Sequence, residues 1–292
     1  MLLTDNIKGA LLMMGSMAAF TLNDTFFKTL SGEVPLFQGI FLRGCLVVVL
    51  MTVLAFATGD LRRPIPAGDR KVIALRTLGE MGATICFLTA LFHMPLANVT
   101  AILQSLPLFI TLVGALLFGE QVGWRRWGAI IIGLFGVLLI VRPGGEGFDR
   151  FSLLALAAVG FVVLRDLSTR RLSPGTPSLS VALVGAVAIT LMGGMVSATS
   201  DWVPLEVYHY KAIAAASLFI IFGYTLSVMV MRIGEIAVVT PFRYTAMVWA
   251  ILLGYLVFGD IPGPLTLVGS AIVVGMGIYT FYRERQLARQ NH

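Results

Sequence analysis

Apolar segments about as long as a bilayer is thick follow one another along the whole chain. Between turn-forming breaks lie ten such runs: 8–30, 35–58, 71–93, 95–118, 124–142, 151–171, 177–199, 211–232, 236–258 and 263–282. A helix rises about 1.5 Å per residue, so about 20 apolar residues cross a hydrocarbon core of about 30 Å. The breaks carry turn chemistry, as at Gly59-Asp60, Met94-Pro95, Pro143-Gly144-Gly145, Pro174-Gly175 and Pro262-Gly263-Pro264. Composition agrees with this reading. Of 292 residues, 58% are hydrophobic and 12% charged, against about 25% charged in a soluble domain. Too few polar groups are present to cover a soluble protein of this length. A water-soluble enzyme, a disordered chain and a coiled coil are excluded. The expected fold class is an all-α integral membrane protein of ten transmembrane helices.

Charge sets the orientation. The net charge of +6 raises the question of nucleic acid, but there is no basic stripe with interleaved aromatics. No nucleic-acid partner is expected; the partners are the lipid bilayer and a small-molecule substrate. With the N-terminus in the cytoplasm, fourteen of the 21 lysines and arginines fall on inside segments, among them Lys8, Arg62, Arg63, Arg125, Arg126, Arg170, Arg171 and Arg283. Four fall on outside ends: Lys28, Arg142, Arg150 and Lys211. Cytoplasmic segments of membrane proteins carry such an excess. Both termini are therefore expected in the cytoplasm of a multi-pass, monomeric protein of the bacterial inner (plasma) membrane. The N-terminal stretch reads as a first span and not as a cleavable signal. Cys45 and Cys86 fall inside apolar runs with no partner at metal-ligand spacing. They read as small buried hydrophobes, and no metal or cofactor is expected.

The two halves resemble each other. Ala97-Asn98-Val99-Thr100-Ala101 aligns with Ala237-Val238-Val239-Thr240-Pro241, and at the same offset Leu116-Leu117-Phe118-Gly119-Glu120 aligns with Leu256-Val257-Phe258-Gly259-Asp260. A Gly-rich helix follows in each half, with Gly128, Gly133 and Gly136 in one and Gly269, Gly275 and Gly277 in the other. Asn23-Asp24 and Lys28 line up more weakly with Arg165-Asp166 and Arg170. Each half holds five spans, an odd number, so the second enters the membrane from the opposite side. An inverted repeat of this kind serves alternating access.

On these residues the chain resembles the drug/metabolite transporter superfamily, in its EamA-type branch. The carriers of the resemblance are Pro107 with the Leu116–Glu120 ending, Trp127-Gly128, the fifth helix closing in Val141-Arg142-Pro143-Gly144, and Pro241 with Phe258-Gly259. Asp260 stands where the family usually has Glu. The resemblance implies a secondary transporter of two EamA-like repeats, residues 1–145 and 146–292. It implies no single substrate, because the family moves amino acids, vitamins, nucleotide-like compounds and other metabolites.

Charges near the bilayer centre are costly and face the bundle interior. Arg43 lies in the second span, Arg76 and Glu80 one turn apart in the third, and Arg243 in the ninth beside Tyr244. Gln104 lies on the fourth, and Phe20, Asp24 and Lys28 share a face of the first. These faces suggest a cavity in which arginine grips a carboxylate with its planar fork. Phe20, Phe87, Tyr244 and Trp249 would hold the apolar part of a ligand. Structural roles stay open: Arg76 and Glu80 fit an internal ion pair, and Arg43 resembles an arginine common in the second helix of the family that locks helices. Glu80 and Asp24 are the candidates for proton coupling. Pro107 and Pro241 are the candidate hinges.

The expected function is a secondary active or exchange transporter of a small amphipathic, carboxylate-bearing, amino-acid-like metabolite. A riboflavin-like vitamin or a nucleoside-like metabolite is the alternative. A membrane-embedded enzyme is disfavoured, because His93, His209 and His292 sit at loops or the tail. A channel is disfavoured because it has no need of an inverted repeat.

Overall fold

The computed structural model describes residues 2–118, 123–143, 149–233 and 236–290. Gly119-Glu120, Gly144 and the expected repeat boundary after residue 145 lie outside the described residues. Within them every regular element is a helix. The long helices are α1 (Leu2–Lys28), α2 (Leu36–Ala57), α3 (Arg70–His93), α6 (Trp124–Val141), α7 (Phe151–Thr169), α8 (Ser178–Ser197), α9 (Val207–Ile233) and α12 (Pro264–Gln290). The shorter ones are α4 (Leu96–Leu103), α5 (Leu106–Phe118), α10 (Ile236–Val239) and α11 (Thr245–Phe258).

Among the described residues, nine helical segments are long and apolar enough to cross a membrane. α1 has the length but carries Asn23, Asp24 and Lys28 in its second half, which dilutes its apolar stretch. The ends also differ from the sequence reading: α1 starts at Leu2, α9 at Val207, and α12 runs on to Gln290.

Two expected spans are interrupted. Residues 95–118 form α4 and α5 with a break at Gln104–Ser105, and residues 236–258 form α10, a 3-10 segment Thr240–Tyr244, and α11. Proline explains both. Pro107 has no N–H for the carbonyl four residues earlier, nor has Pro241. Side chains beside the first break bond backbone there and across: Ser105 Oγ donates to the Ile102 carbonyl at 2.5 Å, and Gln104 Nε2 donates to the Arg243 carbonyl at 3.3 Å.

Helices pair across the bundle. α1 packs on α9, α2 on α8, α3 on α7, α6 on α12, and α4 on α11. One apolar cluster gathers Ala90, Ile102, Val137, Ile140, Val159, Met247 and Val273; a second gathers Phe27, Leu30, Ile40, Leu91, Ile213 and Ala250. Large apolar side chains also cover the outside, as at Leu117, Ile131, Phe135, Val248 and Leu256. In lipid such exposure costs nothing. The same logic corrects the reading of the cysteines. Cys45 is exposed on α2 and Cys86 is half-buried, because an apolar residue in a membrane helix has no drive toward the core.

Backbones touch where glycines permit it. A Cβ on Gly136 would lie 2.9 Å from the Gly269 carbonyl oxygen, and one on Gly269 would lie 2.6 Å from that of Gly136. This contact sets the α6–α12 distance. Gly259 closes α11 in the left-handed conformation, φ 71°, with the Asp260 N–H on the Gly254 carbonyl at 3.1 Å. The Phe-Gly-acid ending of the second half is thus a helix C-cap.

Each end of the bundle carries a polar clamp. At the end where α2 gives way to α3, Asp69 accepts hydrogen bonds from the Ser173 N–H (3.2 Å), Ser173 Oγ (3.0 Å) and Thr176 Oγ1. Asp60 accepts from the Leu179 N–H at 3.1 Å. At the other end Gln38 exchanges two hydrogen bonds with the Val203 backbone, at 2.9 and 3.1 Å. His209 there accepts from the Glu206 N–H at Nδ1, so its Nε2 donates to Glu33, at 3.0 Å. Lys28 caps the last turn of α3, donating to the Leu91 and Met94 carbonyls at 2.7 and 2.6 Å.

Gly269→Leu forces a side chain into the Gly136 backbone, an overpacking worth at least about 1–3 kcal/mol. The melting temperature of the detergent-solubilised protein should fall. Gly128→Leu, at a position with no atom within 4 Å of the added Cβ, should leave it unchanged. Equal melting of the two variants would refute the Gly136–Gly269 contact as the one that sets helix spacing.

Candidate functional site

The three arginines expected near the bilayer centre have three different surroundings. Arg43 is 9% exposed. Its guanidinium donates to Asn23 Oδ1 at 3.2 Å and lies over the Phe27 ring at 4.5 Å. Asn23 in turn donates to Asp24 Oδ1 at 2.8 Å. Arg43, Asn23 and Asp24 therefore form one network that ties α2 to α1.

Arg76 is also satisfied internally. Its Nη1 lies 2.6 Å from Glu80 Oε2, and its Nε donates to Thr169 Oγ1 at 3.2 Å. The pair spans α3, α7 and α8. Gly185 of α8 leaves the room it occupies, since a Cβ there would run into the Glu80 carboxylate. Glu80, a candidate for ligand binding and for coupling, is held by Arg76.

Arg243 differs. It lies in the 3-10 segment between α10 and α11. Among the described residues its guanidinium has no hydrogen bond or ion pair. The charges that act on it are Asp166 and Arg165 of α7, which pair with each other at 2.8 Å. Of the carboxylates, the one whose charge acts on Arg243 is thus Asp166 and not Glu80. Beside it Tyr244 is 5% exposed, and its hydroxyl lodges against α12, where only a glycine, Gly277, leaves room. Tyr244 Oη, Trp249 Nε1 of α11 and Asn98 Oδ1 of α4 are buried with no hydrogen-bond partner among the described residues. An unsatisfied buried polar atom costs about 1–3 kcal/mol, so three of them on one pair of crossing helices call for an explanation.

The structure therefore brings Arg243, Tyr244 and Gln104 together where the two interrupted helices meet. Trp249 follows on α11, and Phe87 sits at the joint edge of both apolar clusters. Phe20 is placed differently, packed on Gly223 in the α1–α9 seam. Pro107 stands in the first turn of α5 and Pro241 in the 3-10 segment, both beside the breaks. Asp166 and Asn98 were absent from the candidate set. Both stood in the internal alignment, as the partners of Asp24 and Val238, and no other signal marked them. Among the described residues no three His, Cys, Asp or Glu side chains come together as a metal would need.

If Arg76 has a partner and Arg243 has none, their removal should differ. Arg76→Gln strands Glu80 and should lower stability by about 1–3 kcal/mol, with Glu80→Gln restoring most of it. Arg243→Gln should leave the melting temperature unchanged or raised. A drop equal to that of Arg76→Gln would show that Arg243 has a permanent partner.

Comparison with known proteins places these features. Residues 7–142 match the EamA-like transporter family. The chain is 23% identical over 283 residues to an S-adenosylmethionine uptake transporter of Rickettsia prowazekii, covering 95% of this chain and 93% of that one. It is 24% identical over 275 residues to a pseudopaline exporter of Pseudomonas aeruginosa, covering 91% and 93%. It is 25% identical over 217 residues to a riboflavin transporter of Vibrio cholerae, covering 74% and 72%. One solved crystal structure superposes with a TM-score of 0.62 at 21% identity, over 96% of this chain and 98% of that one, a likeness of fold alone. The relatives are named as transporters, not enzymes. The first half of this multi-pass membrane protein thus matches the EamA-like transporter family over residues 7–142, and relatives along most of its length are named as transporters of small molecules.

Proposed function

We propose that the chain is a secondary transporter of ten membrane-crossing segments, arranged as inverted five-helix repeats over residues 1–145 and 146–292. In this reading it moves a small amphipathic metabolite with a carboxylate by alternating access, as a monomer in the bacterial inner membrane. The observation that carries it is that two interrupted helices cross where the Arg243 guanidinium has no partner among the described residues, with the unpartnered Tyr244, Trp249 and Asn98 on the same two segments. Broken helices beside a midplane site are a recurrent device of secondary transporters.

The pairing of helices supports the repeat. Count α4 with α5 as the fourth crossing and α10 with α11 as the ninth. A shift of five crossings then turns the pair α1–α9 into α7–α3, and returns α2–α8, α6–α12 and the α4–α11 crossing to themselves. The breaks keep the same register as the sequence alignment, since Gln104-Ser105 falls opposite Tyr244-Thr245. The two clamps favour alternating access, because each ties one end of the bundle without crossing its middle. Which end faces the cytoplasm follows from the arginines. Reporter fusions at Ala67 should report inside and at Asp201 outside; the reverse would overturn the orientation.

The substrate class follows from the charges. Arg243 offers a bidentate fork to a carboxylate, and Asp166 across from it suits a cationic group such as an amine. Tyr244 and Trp249 add one polar tip each to an apolar wall. A flat vitamin is the second reading, favoured by the riboflavin transporter of Vibrio cholerae among the relatives and by the aromatic pair. Asp24 and Glu80 are the candidate proton carriers, each beside an arginine.

A thermal-shift screen of the purified protein against a metabolite library tests the site, since a ligand stabilises the folded state by mass action. Carboxylate-bearing hits should raise the melting temperature and exchange across proteoliposomes. Arg243→Gln should abolish both effects while the protein stays folded. Arg243→Lys should also fail, because a point charge cannot make the two-pronged contact. Hits that are only cationic, or full transport by Arg243→Lys, would sink the carboxylate assignment.

A further inference from the structure

α6 and α12 run antiparallel, and their backbones touch at Gly136 and Gly269. Away from that contact, toward the start of α6, a cavity of about 310 Å³ opens between the helices. Its walls are Trp124, Arg125, Gly128 and Ile132 of α6, with Met276 and Tyr279 of α12. Gly128 leaves the floor open, since no atom lies within 4 Å of where its Cβ would stand. The site faces outward. Trp124 is 78% exposed and Ile132 49%, and Ile131 and Phe135 beside them are exposed as well. The outer face of these helices is lipid-facing, so the cavity opens into the bilayer.

We propose that this cleft binds one anionic phospholipid, its phosphodiester on Arg125 and an acyl chain in the apolar slot above Gly128. Arg125 holds its guanidinium over the Trp124 ring at 5.3 Å, at the very first turn of a membrane-crossing helix. Trp and Tyr at that level mark the headgroup zone, and Trp124 and Tyr279 flank the cleft on its two helices. The phosphate of a lipid lies at this depth, directly above its acyl chains. The order of groups in the cleft, cation and aromatic rings at the rim and Ile132 with Met276 inside, matches the order of groups along a phospholipid. A soluble anion would satisfy only the rim, and a zwitterionic phospholipid would bring a cation of its own beside Arg125.

The site is separate from the Arg243 crossing, so its test does not depend on the substrate. The full chain in a neutral detergent is titrated with phosphatidylglycerol, phosphatidylcholine or glycerol phosphate. Retained lipid is read by native mass spectrometry and stability by thermal melting. Phosphatidylglycerol should give a saturable rise in melting temperature and one retained copy. One arginine at a membrane surface contributes enough for Arg125→Gln to weaken retention about fivefold. Gly128→Leu should block retention of the chain at unchanged folding. Two further outcomes identify other occupants and overturn the proposal: an equal effect of phosphatidylcholine would leave a site for any phospholipid whatever its net charge, and an equal effect of glycerol phosphate would leave a soluble-anion site. Retention that neither variant changes would place the lipid elsewhere on the surface.

Discussion

Inside a bilayer no water stands ready to bond a free backbone group, so a chain that crosses it is helical unless the interruption is covered by protein. The crossing of α4 and α11 meets that condition. Gln104 ends the first half of one broken crossing and bonds the backbone carbonyl of Arg243 in the other. Each break is thus covered by its counterpart. The rest of the arrangement depends on this crossing, for it allows non-helical backbone and the half-buried, unpartnered side chain of Arg243 within an apolar bundle.

Elsewhere the bundle is held by means that leave this crossing alone. The Gly136–Gly269 contact fixes α6 on α12 by backbone approach, and hydrogen bonds of Asp69 and Gln38 join the connecting segments at opposite ends. Close contacts between small residues replace the hydrophobic drive that lipid removes. The clamps of Asp69 and Gln38 lie at the ends of the bundle, while the networks of Arg43 and Arg76 join neighbouring helices within it. A bundle whose helix pairs share firm seams is suited to rigid-body rocking in the transporter reading.

Much of this was legible in the sequence. The helical class followed from ten apolar runs, because bilayer thickness dictates their length. The Gly-rich character of α6 and α12 was visible in the sequence, but which glycines touch was not: Gly136 and Gly269 meet, while Gly128 and Gly275 face open space. The interruptions were not legible. Pro107 and Pro241 announced a disturbance, but a kink and a break begin from the same missing N–H, and tertiary cover decides between them. Burial was illegible for a similar reason. Cys45 and Leu117 are as apolar as the core, and in lipid nothing in their chemistry tells outside from inside. Asn98 was invisible as a site residue because an amide in a helix becomes costly only when its neighbours fail to bond it.

The arginines show where such reading stops. Arg43, Arg76 and Arg243 are chemically identical, and helix spacing alone separated only Arg76, which has Glu80 one turn away. Arg43 is neutralised through tertiary contacts, with Asn23 and Phe27 around it and Asp24 bonded to Asn23. Arg243 lies directly before α11, whose N-terminal end adds positive potential of its own. Asp166 offsets that charge from α7 but is itself paired with Arg165. The positive potential at the crossing is therefore incompletely compensated by the protein. A lone cation inside a membrane bundle is costly unless something anionic meets it, and packing elsewhere must offset that cost in the unliganded state. An anionic group brought to Arg243 would relieve it, and most strongly in whichever conformation excludes water from the crossing. In that way an uncompensated charge would convert ligand binding into a preference for closure, which a charge already paired, like that of Arg76, has no means of doing.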